Sequence, residues 1–254
     1  MFGIFRKQDA TDPDFLEWTV DFSKWAIDSF GGLEQIRNTP LIKPSPDFYP
    51  ASKSSGHQRA EELFLQTKAH ADMADWACSL TAQESQAPAH LGDGLIQQFH
   101  TNTPAGTYSE SVKGDKVHSH ISYDPALLTQ PTNLIATLSH ELAHLLMHGT
   151  PVEFPFAPDM EEPATDSLAI MMGFGIFILN GSSGFSQDDI SYQYHRAGYL
   201  CEGEIFHILS AFCILSETPV NETMPFLKSH HYKRLRKIFN ALNENASFLS
   251  TLEG

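Results

Sequence analysis

The sequence predicts an α+β fold in which helices outnumber strands and a small antiparallel sheet covers one central helix. Three observations predict it. Apolar residues recur every three or four positions along several stretches, the mark of helices with one buried face. Near residues 76 to 80 and again over 106 to 123 the period shortens to two, as in half-buried strands. Residues 131 to 148 then carry a helix's punctuation and period, with a single acidic residue among them.

At 254 residues and 41% hydrophobic content the chain can bury a substantial core, and it reads as one compact unit, residues 1–254. Residues 1–75 form a helical N-terminal part, 76–180 the sheet and the chemistry-bearing helices, and 181–254 a helical C-terminal part. There is no run of 18 apolar residues, and Met1 to Phe5 is too short for a signal-peptide core before Arg6 and Lys7. The expectation is a cytoplasmic protein without a membrane partner; nothing in the sequence assigns an oligomeric state. Cys78, Cys201 and Cys213 are odd in number and lack metal-ligand spacing, which suits buried free thiols. A net charge of -15, from 31 acids against 16 bases, repels a phosphate backbone and argues against nucleic acid. The basic cluster Lys228 to Lys237 is interrupted by Tyr232, Leu235 and Ile238 at helical spacing, so it reads as a solvated helix face.

Taken in order, Asp12-Pro13 opens a first helix. Phe15, Trp18, Phe22 and Trp25 form its core stripe and Gly31-Gly32 its stop. Residues 38 to 54 hold Pro40, Pro44, Pro46 and Pro50 and read as a draping loop. Ser55 with Gln58 makes a capping box for a second helix, whose buried face is Ala60, Leu63, Phe64 and Ala71. Trp76, Cys78 and Leu80 alternate along a strand, which Pro88 to Gly94 breaks. Two further strands meet at Gly114-Asp115, a hairpin signal. His118 and His120 share one side of the second and read as solvent-facing. Pro131 suits a helix's first turn and Gly149 its end, with Leu134, Ile135, Leu138, Leu142 and Leu145 as the apolar stripe. Leu168 to Leu179 is nearly all apolar and reads as a buried helix, its Gly173 and Gly175 permitting close approach to the 131–148 helix. Residues 202 to 216 and 230 to 243 complete the fold as helices.

The chemistry lies in His140-Glu141-Leu-Ala-His144. Residues four apart stack on one helix face about 5 to 6 Å apart, so both imidazoles can reach one ion. Glu141, roughly 100° round the helix, falls beside that ion where a bound water would sit. A carboxylate with a pKa near 4.3 cannot usefully deprotonate bulk water near 15.7, but zinc lowers a bound water to roughly 7 and closes most of that gap. The motif therefore implies metal-assisted hydrolysis with Glu141 as general base. His148 continues the face, but about 12 Å of rise separates it from His140, too far for one ion to hold both. It reads as a surface or supporting histidine. Glu162, 18 residues after His144, follows one loop and a return onto the helix, and is the preferred third ligand, the alternative being an acidic first turn that faces the helix dipole. Asp166, one turn on, can orient a ligand imidazole through its other nitrogen. Glu161, five before Asp166, is less well placed.

His140-Glu141-x-x-His144 followed by Glu162-x-x-x-Asp166 resembles the gluzincin branch of zinc metallopeptidases. The wording Leu-Ser-His-Glu-Leu-Ala-His-Leu-Leu-Met-His, then Glu-Glu-x-Ala-Thr-Asp, is similar to the ImmA/IrrE-type metallopeptidases; the resemblance covers about residues 116 to 180. It implies a zincin-like fold with the sheet over the HExxH helix, Zn²⁺ held by His140, His144 and Glu162, Glu141 as base, Asp166 as support, and a peptide or protein substrate. It further implies that the strand at residues 116 to 123 lines the cleft and pairs with extended substrate. An oxyanion stabiliser is expected beyond the third ligand, where Tyr192, Tyr194, His195, Arg196 and Tyr199 lie; Tyr194 and His195 are the candidates. Pro163 departs from the pattern, because proline disfavours helical geometry at the residue before it. A cap at Asp159 with Glu162 completing a capping box would leave Pro163 in the first turn. Two other readings remain: a metal-dependent hydrolase of a non-peptide amide, which shares all the ligands, and a regulatory or binding protein with a vestigial site.

Overall fold

A computed structural model describes residues 13–84, 104–113, 116–182 and 199–253. The architecture is α+β, mostly helical, with a small mixed three-stranded sheet. Helix α1 (Pro13–Ser29) begins on Pro13, where a missing N–H costs nothing, and buries Phe22, Trp25 and Ala26. Its aromatic stripe also grips a loop. Trp18 and Trp25 pack on Phe156 with ring centroids 4.9 and 5.7 Å apart, and Trp25 Nε1 donates to the Glu153 carbonyl at 2.9 Å. Each such aromatic pair is worth about 0.5 to 1.5 kcal/mol beyond its buried area. The loop so held joins the two helices that carry the site.

Gly31 and Gly32 take positive φ and turn the chain straight into α2 (Gly32–Asn38). Helix α3 (Gly56–His70) packs Ala60, Leu63 and Phe64 into the core. Ser55 stands at its N-cap, but its side chain makes no capping hydrogen bond, so the expected capping box does not form.

Strands β1 (Cys78–Ala82), β2 (Gly106–Lys113) and β3 (Lys116–Tyr123) lie in the order β1-β3-β2. β2 and β3 pair antiparallel, as their short connection predicts. β1 runs parallel to β3, which corrects the expected all-antiparallel sheet. A parallel pair needs a connection of about a dozen residues or more, and residues 83–115, which include β2, supply it. Leu80, Ile121 and Tyr123 point into the core, while His120 faces outward between Ser79 Oγ (2.9 Å) and Thr81 Oγ1 (2.8 Å).

Helix α4 (Pro131–Gly149) is the element that the sheet, α3, α5 and α6 all pack against. α5 (Glu161–Ala169) follows a 3-10 turn at Pro158–Met160. Met160 is its N-cap, without a side-chain cap, so Asp159 does not play the expected part. Pro163 is then the third helical residue, still among the first-turn N–H groups that lack an intrahelical acceptor, and Glu162 is helical despite preceding it.

The apolar stretch after α5 is not one continuous helix. It passes through a π-turn (Ile170–Phe174) in which Gly173 has φ 93°, then re-forms as α6 (Gly175–Ser182). The expected role of the glycines is corrected too. A Cβ on Gly173 would lie 2.3 Å from the Pro40 carbonyl oxygen, and one on Gly175 would lie 2.5 Å from Leu209, so neither serves contact with α4. Pro158–Ser182 is long and apolar enough by composition to cross a membrane, yet it is almost wholly buried inside the protein. Helices α7 (Glu202–Leu215) and α8 (Ser229–Asn243) pack together, and α9 (Ala246–Glu253) follows. Glu202 ties the pair through His231 Nε2 at 3.1 Å and Arg234 at 2.7 Å, while Leu235, Ile238 and Leu242 of α8 are buried and its basic face is solvated.

Candidate metal centre

His140 and His144 stand one turn apart on the buried face of α4, their rings 4.9 Å apart and nearly perpendicular. The Trp-gripped loop returns the chain so that Glu162, in the first turn of α5, meets both. His140 Nε2 lies 3.1 Å from Glu162 Oε2, and His144 Nε2 lies 3.6 Å from Glu162 Oε1. Two ligands bound tetrahedrally at 2.0 to 2.1 Å from one ion sit about 3.3 Å apart, so these separations are those of a cation cage. Glu162 Oε2 is buried and has no hydrogen-bond donor among the described residues, despite its nearness to His140. A buried carboxylate oxygen without a donor is costly, and a shared ion would satisfy it.

Both imidazoles are held from behind. His140 Nδ1 donates to Asp166 Oδ1 at 2.9 Å. His144 Nδ1 lies 3.3 Å from Thr165 Oγ1, whose own hydroxyl proton goes to the Glu161 carbonyl at 2.9 Å, leaving the oxygen to accept. With each Nδ1 engaged from behind, each Nε2 is left to face Glu162.

Charge follows the same logic. Burial works against a cationic His140, but Asp166 and then Glu162 outweigh it and raise its pKa to about 10. Burial alone would raise Glu162; His140 and His144 overcome it and bring the carboxyl down to about 2. In the metal-free protein a proton takes the place a cation would hold. Glu141 differs: it is buried, and desolvation raises its pKa against the pull of the two histidines. That moves a carboxylate toward the range of a working general base.

Strand β2 begins directly over Glu141. A Cβ on Gly106 would fall 2.5 Å from Thr137 Cγ2 and 2.8 Å from Glu141 Oε1, so only glycine lets the strand lie this close. Gly106, Thr107 and Tyr108 line a cleft of about 300 Å³ with His140, Glu141 and His144. A second cavity of about 250 Å³ shares Gly106, His140, Glu141 and Tyr199 with the cleft and is walled by Leu127, Ala136, Thr137 and Ile178. A roomier cavity of about 690 Å³, lined by Phe30, Trp76 and Met171 among others, lies away from these groups.

The expected substrate strand is corrected. β3 is the central strand, with residues 119–123 paired on both edges, so it has no free edge there to offer. β2 is the edge strand beside the cleft.

His140, Glu141, His144, Glu162 and Asp166 are thus brought together. Tyr194 and His195 lie outside the described residues. Tyr199, from the same stretch, is in place: its ring is 5.3 Å from that of His140, and it lines both cavities at the centre. Burial, then the nearby carboxylates, raise its pKa, so the phenol keeps its proton at neutral pH. The next residue anchors it, Leu200 N–H donating to Asp166 Oδ2 at 3.2 Å. His148 does not reach this cage; it pairs with Glu161 at 2.9 Å. No protein-family model, curated protein or solved structure matches the chain.

Proposed function

We propose that the protein is a zinc-dependent peptidase of zincin-like type. The observation that carries this reading is the convergence of His140 Nε2, His144 Nε2 and the Glu162 carboxylate at cage separations beside a buried carboxylate, Glu141. Two imidazoles and one carboxylate, with room beside them, form the donor set of an open, catalytic zinc site. When bound, the ion would supply Lewis-acid polarisation of a carbonyl and an acidified water.

The chain's own residues do the rest. Glu141 accepts the proton of the attacking water and returns it to the leaving amine. Asp166 holds the His140 ring in its tautomer. Tyr199, which lines the cleft beside His140, is the residue assigned to stabilise the oxygen that gains charge. An extended peptide adds to the edge of β2 that is unpaired among the described residues, its backbone antiparallel or parallel to Gly106–Tyr108, and an apolar side chain beside the scissile bond enters the cavity under Ile178.

Glu141→Gln is the direct test. Unfolded protein substrates and a cell-extract proteome, incubated with wild type and with the variant, should show cleavage by wild type only, with equal metal content in the two proteins. Undiminished cleavage by the variant would remove Glu141 from the chemistry.

A further inference from the structure

Outside the centre just described, one cluster repeats its pattern a turn further along α4. His148 follows His144 by four residues, as His144 follows His140. Glu161 precedes Glu162 by one, which swings its carboxylate about 100° round α5. As a result Glu161 Oε1 lies 2.9 Å from His148 Nε2 and 3.8 Å from His144 Nδ1, and the three potential ligand atoms all lie within 4.8 Å of one another. Tyr108 holds the rings in register, lying nearly parallel to His144 at 6.2 Å and to His148 at 5.7 Å. The two imidazoles are therefore positioned before any ion arrives.

We propose that His144 Nδ1, His148 Nε2 and Glu161 form a second, weaker site for a divalent transition-metal ion at the rim of the cleft. It rests on the proposed centre only through the shared His144 ring. Two features make it the weaker. His148 and Glu161 are 47% and 42% exposed, so water competes for both. The Nδ1 proton that His144 directs at Thr165 must also pass to solvent before that nitrogen can coordinate. The inner cage needs no such change at His144, because Nε2 already faces Glu162. With both sites filled, the His144 ring bridges two cations. The outer ion stands among residues that line the cleft, so excess metal obstructs substrate.

The test is a Zn²⁺ titration of metal-free full-length protein by calorimetry, repeated with Co²⁺ so that absorption reports the ligand set. Wild type is expected to bind one tight and one weak equivalent. His148→Ala should lose the weak equivalent and keep the tight one; His140→Ala should weaken the tight class and keep the weak. Turnover of wild type should fall as the weak class fills, while that of His148→Ala should hold at its own maximum. A tight class alone in wild type, or a weak class unchanged in His148→Ala, overturns the proposal and leaves the inner centre standing. A weak class abolished by His148→Ala, without any tight class in wild type, supports the outer site and overturns the inner one.

Discussion

The Asp166 carboxylate joins His140 to the chain beyond the site: Oδ1 accepts the imidazole Nδ1–H at 2.9 Å, and Oδ2 accepts the Leu200 amide at 3.2 Å. One buried side chain therefore orients the His140 ring and the backbone next to Tyr199. Asp166→Asn keeps the volume but presents an amide N–H to one of two donors. Metal affinity, measured by competition with a chelator, is expected to fall about 10- to 100-fold. An unchanged affinity would mean that packing alone holds the ring.

Tyr199→Phe separates the ring from its hydroxyl. The ring still packs on His140, so metal content and thermal midpoint should match wild type. With the phenolic donor gone, kcat is expected to fall by about 10²- to 10³-fold with KM little changed. A change confined to KM would make Tyr199 a substrate contact only.

Gly106→Ala places a methyl 2.5 Å from Thr137 Cγ2. β2 must lift from α4 or Glu141 must turn. Overpacking of this kind costs about 1 to 3 kcal/mol, read as a lower urea midpoint, and turnover should fall with it. Full stability and full turnover would show that the strand start is not held against Glu141.

Metal affinity should depend on pH with a definite sign. Metal-free His140 keeps its proton to about pH 10, because Asp166 and Glu162 outweigh its burial, and the ion must displace that proton. Below that pH the metal-free form binds more protons than the loaded one, so apparent affinity should rise about tenfold per pH unit for this proton and level off near pH 10. Glu162, at about 2, is already ionised and adds no slope in this window. Chelator competition across neutral pH checks it; affinity that falls with rising pH contradicts the cage.

Legibility in the sequence follows range. His140, Glu141 and His144 are legible because one helical turn dictates their geometry, and Glu162 with Asp166 because a second helix repeats that local rule. Pairing between distant segments is not written locally. Nothing near Cys78 to Ala82 says that this strand runs parallel to β3, and so, among the described residues, the edge strand beside the cleft is β2 rather than β3. Gly173 reads as a small packing residue, but it is the left-handed break that lets the Pro40 carbonyl approach. Thr165 behind His144 had a signal: it lies four residues after Glu161, whose carbonyl takes its hydroxyl proton. Tyr199 has none beyond membership of an aromatic stretch, because the Leu200 amide bond to Asp166 places it.

The most direct test of the central claim is the zinc content of purified protein after exhaustive dialysis against metal-free buffer. One ion per chain is expected in wild type and in Glu141→Gln, and none in His140→Ala with the fold retained by circular dichroism. A wild type that holds no ion, or a His140→Ala protein that holds it undiminished, would contradict the centre formed by His140, His144 and Glu162.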